Sequence, residues 1–177
     1  MIRHSQLIQL PRYTWAGNSG PENETDRAAD GTADAPQPAI VWGARGHAKV
    51  LNEFLPQLGL QIAAVFDNDP QARSPISGVP LFHGVDGFTD WRSTRVEEQI
   101  TGLVAIGGQH GGAREEILSL FRSHGVCVPA VAHPTAFVAR DAQVADGCQV
   151  LASASVCTEV RTGEGCIVNT GASIDHE

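Results

Sequence analysis

The 177-residue sequence has no apolar run approaching the roughly 18 residues of a membrane-spanning helix. Its opening stretch, MIRHSQLIQLPRYTW, lacks the long apolar core of a secretory signal and reads as an extension. Cysteine is sparse: Cys127, Cys148, Cys157 and Cys166 form no Cys-x-x-Cys pair and no dense framework, so a reducing cytoplasm is the expected setting. Aromatic residues make up only 6%, beside an ordinary hydrophobic fraction of 42%. Basic residues are outnumbered 12 to 20, and the net charge of −8 argues against nucleic acid or an anionic membrane as the main partner. The length allows one good core, or one domain with a small second unit.

The chain divides into three. Residues 1–38 form an N-terminal extension, in which 17–38 hold five acids against one Arg and are rich in Pro, Gly, Asn and Asp. Such a composition predicts disorder. From Ala39 the pattern reads strand, glycine turn, helix, strand. Ala39–Trp42 is a short apolar run, and Val50, Leu51, Phe54, Leu55 and Leu58 recur at helical spacing. Pro56 limits the last turn and Gly59 ends it, before a second strand from Leu60 to Phe66. A short strand is expected at 78–82, a third clear one at 100–106, a helix carrying Ile117, Leu118 and Phe121, and a final strand at 126–132. Residues 39–132 thus predict a small α/β domain with a parallel, Rossmann-like sheet.

From His133 the rhythm changes to six. Written from Val138, the chain runs VARDAQ, VADGCQ, VLASAS, VCTEVR, TGEGCI, VNTGAS, IDHE. The first column is aliphatic except at Thr162, and the fifth (Ala142, Cys148, Ala154, Val160, Cys166, Ala172) is small or β-branched. Two columns in phase over seven periods predict a solenoid for 133–177, with one short strand and a corner per unit and the repeated positions stacked inward. Small stacked core positions account for Cys148 and Cys166 without a metal site, and none is expected.

Three stretches carry chemistry. In WGARGHAKV (42–50) a glycine turn joins strand to helix, where backbone can approach a phosphate and helix N–H groups point at it. The dinucleotide fingerprint would want Gly where Arg45 and Ala48 stand. Asp67 ends the second strand, 24 residues after Gly43, as either a ribose-binding acid or an ordinary turn residue before Pro70. AIGGQHGGAR (105–114) is a second strand-end glycine turn on the same edge, with Arg114 either meeting an anion or lying solvated on its helix. His133 fits a domain-junction residue better than a catalyst, His83, His110 and His124 have no partner that singles them out, and His4 lies in the extension.

GARGHAKV, VFDND, AIGGQHGGAREEI, HPTAFVARDAQV and GCIVNTGASIDHE, in that order, resemble the sugar O- and N-acetyltransferases of the PglD/NeuD type. The resemblance covers roughly residues 39–177. It implies a nucleotide-sugar-binding domain followed by a left-handed β-helix of hexapeptide repeats. It also implies acetyl transfer from acetyl-CoA to an amino or hydroxyl group of a sugar, commonly nucleotide-activated, in a homotrimer. By the same resemblance His176 is the general base and Glu177 the carboxylate that raises its basicity. Arg45, Gly46 and His47 lie in the substrate turn with Gly107 in the turn beyond the third strand; Asp67 and Asn68 lie at the nucleotide end, and Asn169 lies near acetyl-CoA. The GGQHGGAR turn looks longer than the family's, and the coils expected after His176 are absent, so a truncated chain with little or no activity is the expectation. Two rivals stand beside this reading: a non-catalytic nucleotide-sugar-binding module with the coil as an oligomerisation stub, and a nicotinamide-dependent oxidoreductase. The broken fingerprint and the sixfold repeat count against the latter, and acetyl-CoA binding separates the other two.

Overall fold

The computed structural model describes residues 35–176. The extension's expected disorder therefore falls almost wholly outside the described residues, as does Glu177. Four parallel strands form the first sheet: β1 (Gln37–Trp42), β2 (Leu60–Asp67), β3 (Leu81–His83) and β4 (Thr101–Val104), in the order β3-β2-β1-β4. The first described strand thus starts two residues before Ala39. Helices α1 (Gly46–Phe54), α2 (Gly84–Ser93) and α3 (Gly111–Ser123) cover the sheet on both faces.

The strands alternate between those two coverings, with β2 changing phase at the ladder irregularity between Ile62 and Ala64. Ala39, Val41, Ile62, Val65 and Leu103 face Ala48, Leu51 and Phe54 of α1. Ile40, Trp42, Ala64, Phe66 and Val104 face Phe88 and Trp91 of α2 and Ile117, Leu118 and Phe121 of α3. Trp42 anchors the second layer, stacked on Phe66 at 5.7 Å and edge-on to Phe88 at 5.9 Å and Phe121 at 6.1 Å. The few aromatics of the chain are concentrated here. Pro56 does limit α1: the chain tightens into a 3-10 turn over Leu55–Leu58, and Gly59 closes it in the left-handed region at φ +73°. Val50, placed on the apolar stripe by spacing, is exposed.

Two elements differ from the sequence pattern. Helix α2 occupies a region that reads as turns, because only Phe88, Trp91 and the charged Arg92 are buried and Gly84 and Gly87 weaken the helical signal. The run 126–132, which reads as one strand, serves two sheets. Cys127 makes a parallel bridge to Thr101 at the edge of the first sheet, and Val131–Ala132 leaves to begin a second structure.

That second structure is built from two-residue strands: β5 (Val131–Ala132), β6 (Phe137–Val138), β7 (Gln149–Val150), β8 (Ser155–Val156), β9 (Ile167–Val168) and β10 (Ser173–Ile174). They form two parallel sheets, β5-β7-β9 and β10-β8-β6. Every paired residue is 18 positions from its partner, as in Val131 to Gln149 to Ile167, and so is the isolated bridge Gln143 to Arg161. Three sixes therefore make one turn of a coil. Both columns point inward until the last member of the first, Ile174, which is exposed: Val138, Val144, Val150, Val156 and Val168 are buried with Cys148, Ala154 and Val160, and Ala142, Cys166 and Ala172 pack against them. Thr162, the exception in the first column, accepts the Ala145 N–H at 3.0 Å and meets Cys148 Sγ at 3.3 Å, joining one coil layer to the next. The Cys148 thiol donates to the Gly163 carbonyl, and burial pushes its pKa up.

The coil docks on the α/β unit. Val131 and Leu151 enter the core beneath α1, and Leu118 of α3 seats against the coil corners Gly147 (φ +71°) and Gly165 (φ +63°). Gly147→Ala should therefore cost more than Gly59→Ala. Both pay the left-handed penalty of about 1–2 kcal/mol, but a Cβ at Gly59 meets open space whereas one at Gly147 lies 2.8 Å from Leu118. Overpacking should add about 1–3 kcal/mol, read as the difference between the two variants in guanidinium unfolding; equal losses would contradict the docking.

Candidate functional site at the sheet edge

Because β1, β2 and β4 are parallel, the turns that follow them share one edge. The chain runs outward from β1 through β2 to β3, then returns to the other side of β1 as β4. Open α/β sheets leave their ligand crevice at such a reversal. Here the two turns are drawn together: Gly43 N–H donates to the Phe66 carbonyl and Ala105 N–H to the Trp42 carbonyl, each at 2.7 Å. Gly43 sits at φ +116°, and a Cβ there would lie 2.6 Å from the Ala105 carbonyl oxygen. No other residue fits so close an approach.

Asp67 fastens the other side. Its Oδ2 accepts the Ala44 N–H at 2.7 Å and its Oδ1 accepts the Asp69 N–H at 2.9 Å. Of its two sequence readings, the turn residue is present, with an additional tether to the first glycine turn. A carboxylate has about four acceptor positions, so each oxygen retains one direction for a ligand. Asn68 beside it is exposed. Arg45 pairs with Asp69 at 3.6 Å, but its side chain is 84% exposed, so the pair contributes little to stability and the guanidinium is able to reorient. At the start of α1 no side chain caps the helix, and Gly46 is open above its Cα. The first-turn N–H groups there offer an anion site.

His47 follows, half-buried. Burial holds its pKa below the ordinary 6.5, the Gln149 side chain beside it acts in the opposite sense, and the positive charge of Arg114 adds to the lowering. Gly107 closes this corner: a Cβ on it would stand 3.8 Å from His47 Nδ1. Arg114 is not simply solvated on its helix. It donates to the carbonyls of Ile106 at 3.1 Å, Gly108 at 3.2 Å and Gly165 at 3.0 Å, stapling the turn after β4 to α3 and to the coil.

The residue that sequence reasoning missed is Gln149, only 1% exposed, whose Nε2 donates to the Val104 carbonyl at 2.9 Å. It occupies a sixth position of the repeat, which faces out from the coil and so reads as solvent-facing. Docking against β4 buries it. Arg45, Gly46, His47, Asp67, Asn68 and Gly107 thus come together on one edge. Asn169 and His176 lie apart from these in sequence, on the coil after β9 and β10, and both are exposed. Asn169 Oδ1 accepts the Thr170 N–H, and the His176 N–H donates to Asp175 Oδ1, each at 2.9 Å. His133 packs its ring on Phe54 at 5.1 Å where coil meets domain. His83 Nδ1 lies 3.1 Å from the Asp69 carbonyl and His124 Nδ1 2.9 Å from that of Leu120, partners invisible in sequence.

The family described as the PglD N-terminal domain matches residues 39–119. Among solved structures, PerB from Caulobacter crescentus in complex with CoA and GDP-perosamine is 29% identical, with a TM-score of 0.67 over 78% of this chain and 63% of that one. The acetyltransferase domain of PglB from Neisseria gonorrhoeae, with acetyl coenzyme A, is 28% identical, with a TM-score of 0.64 over 79% of this chain and 65% of that one. The chain therefore spans a little under two thirds of the length of these structures. No curated relative matches it in sequence.

Because folding disfavours the His47 imidazolium, the unfolded chain binds that proton more readily between the folded pKa and 6.5. Stability from this residue is complete above about pH 6.5 and declines as pH falls through that window. Denaturant unfolding of His47→Gln should lack this decline, so wild type should lose ground to it on mild acidification. A difference between the two that stays constant with pH would contradict the buried setting of the ring.

Proposed function

We propose that the chain is of the PglD/NeuD type, from the match of residues 39–119 to the PglD N-terminal domain family and the likeness to the two solved structures, and that it serves acetyl transfer from acetyl-CoA to an amino or hydroxyl group of a nucleotide-activated sugar. The observation that carries the reading is the shared sheet edge, to which the open start of α1, the remaining acceptor directions of Asp67 and the Gly107 turn all belong. Residues 39–132 are assigned to the nucleotide sugar, and 133–177 to a left-handed β-helix of hexapeptide repeats. The two solved neighbours contain the matching ligand classes, CoA with GDP-perosamine in one and acetyl coenzyme A in the other.

In this proposal a diphosphate lies against the first-turn N–H groups of α1, with Arg45 reaching over it, and Asp67 and Asn68 meet the nucleoside. His176, as neutral imidazole, takes the proton of the acceptor amine or hydroxyl as its nitrogen or oxygen bonds to the thioester carbonyl carbon. Collapse of the tetrahedral intermediate breaks the C–S bond, and the proton leaves with the CoA thiolate. Glu177 stabilises the imidazolium, and Asn169 lies near acetyl-CoA. The reading carries a cytoplasmic setting and a homotrimeric assembly; no described helix is long and apolar enough to cross a membrane.

Isothermal titration of the chain with acetyl-CoA, and separately with UDP- and GDP-sugars, tests the proposal. Binding of a nucleotide sugar is expected, weakened roughly tenfold in Arg45→Ala, as loss of one charged contact worth about 1.4 kcal/mol predicts. With acetyl-CoA bound as well, His176→Ala should lower kcat by about 10²–10⁴. Sugar binding without acetyl-CoA binding would favour the non-catalytic module, and a folded chain that binds neither would overturn both.

A further inference from the structure

Two buried polar atoms among the described residues have no hydrogen-bond partner, His47 Nε2 and Gln149 Oε1. They belong to α1 and β7, which are far apart in sequence, yet both lie at the end of β4, His47 against the Gly107 turn and Gln149 on the Val104 carbonyl. Buried polar groups seldom go unpaired, and each such loss costs about 1–3 kcal/mol. The orientation of the Gln149 amide is settled by its other end. The Val104 carbonyl can only accept, so the NH₂ lies there and Oε1 is the end left over. Oε1 can only accept in turn, and a proton on His47 Nε2 satisfies both atoms at once. Arg114, the charged group that acts on the ring, opposes a second proton. Nδ1 is left with a lone pair on the side of the Gly107 turn, where the absence of a side chain leaves the approach open.

We infer that Gln149 is a positioning residue: it holds His47 as the neutral tautomer protonated on Nε2, so that Nδ1 accepts a hydrogen bond from a hydroxyl or N–H group of the bound nucleotide sugar. The ligand half of this statement rests on the proposed function; the tautomer half stands on the free protein. The coil thereby sets the chemistry of a ring on the α/β domain. Gln149 divides its two ends between roles, the donor holding β4 and the acceptor holding the imidazole.

Long-range ¹H–¹⁵N correlation spectra of the imidazole rings in the full, ¹⁵N-labelled chain test it, with His47 assigned from His47→Gln. Wild type should show His47 as a single Nε2–H tautomer at neutral pH. Gln149→Leu, with its fold checked by the backbone amide spectrum, should lose that single tautomer. Gln149→Glu keeps an acceptor but cannot donate to Val104; it should retain the Nε2 proton and move protonation of the ring to higher pH. A His47 protonated on Nδ1 in wild type overturns the inference whether or not the variants fold, and so does a tautomer unchanged in folded Gln149→Leu. Adding UDP-N-acetylglucosamine should shift the Nδ1 resonance. With the Nε2–H tautomer in place, an unmoved Nδ1 on saturation would overturn the ligand half alone, whereas no saturable binding would overturn the proposed function on which it rests; the positioning role stays supported in both cases.

Discussion

One hydrogen bond joins the two halves of this molecule beside the sheet edge: Gln149 Nε2 to the carbonyl of Val104, the last residue of β4. A carbonyl at the end of a buried strand needs a donor, and no residue of the first sheet supplies one on that side. The donor comes from the coil, out of a position that would face water in an isolated solenoid. Around it the same seam is closed by Val131 and Leu151 entering the core under α1, by Leu118 against two glycine corners, and by Arg114 bonded to Gly165. Opening the seam would expose that apolar surface and leave the Val104 carbonyl unpaired, so the sheet edge and the coil should move as one body.

This constraint explains how the edge is shaped. Gly43 lets the turns after β1 and β4 touch, Asp67 holds the turn after β1 to the end of β2, and Arg114 gathers the turn after β4. Most charged groups at the edge are thus occupied with shaping backbone. What they leave facing outward is N–H groups at the start of α1, single acceptor directions on Asp67, and the exposed arm of Arg45. Such a set suits a diphosphate with a nucleoside better than a flat or apolar ligand. The exposed surface salt bridges at the rim of the seam, Arg122 with Glu164 and Asp146, add little to any of this.

How much of this was legible in the sequence follows from where each signal is written. The coil was, because stacking imposes a period of six on inward positions and burial is seen at those columns. The first βαβ unit was, because alternating burial of β1 against helices on both faces requires a continuous apolar run. Helix α2 was not: three buried residues and two glycines do not make a helical stripe. The run 126–132 hid a change of sheet, since strand propensity carries no information about which partner a strand chooses. The six edge residues could be placed by the order of strands and turns. Gln149 could not, because its burial arises only when two separately legible units dock, and a glutamine at an outward position has an ordinary meaning until then.

The central claim is that the edge formed by the turns after β1, β2 and β4 is a nucleotide-sugar site. Backbone amide chemical-shift mapping with a UDP-sugar tests it most directly. The account predicts the largest changes at Gly43 to His47, Asp67 to Asn68 and Gly107 to Gly108, in one contiguous patch that also reaches Gln149. Saturable binding whose changes fall instead on the outer coil, around Asp141 and Arg161, would contradict it.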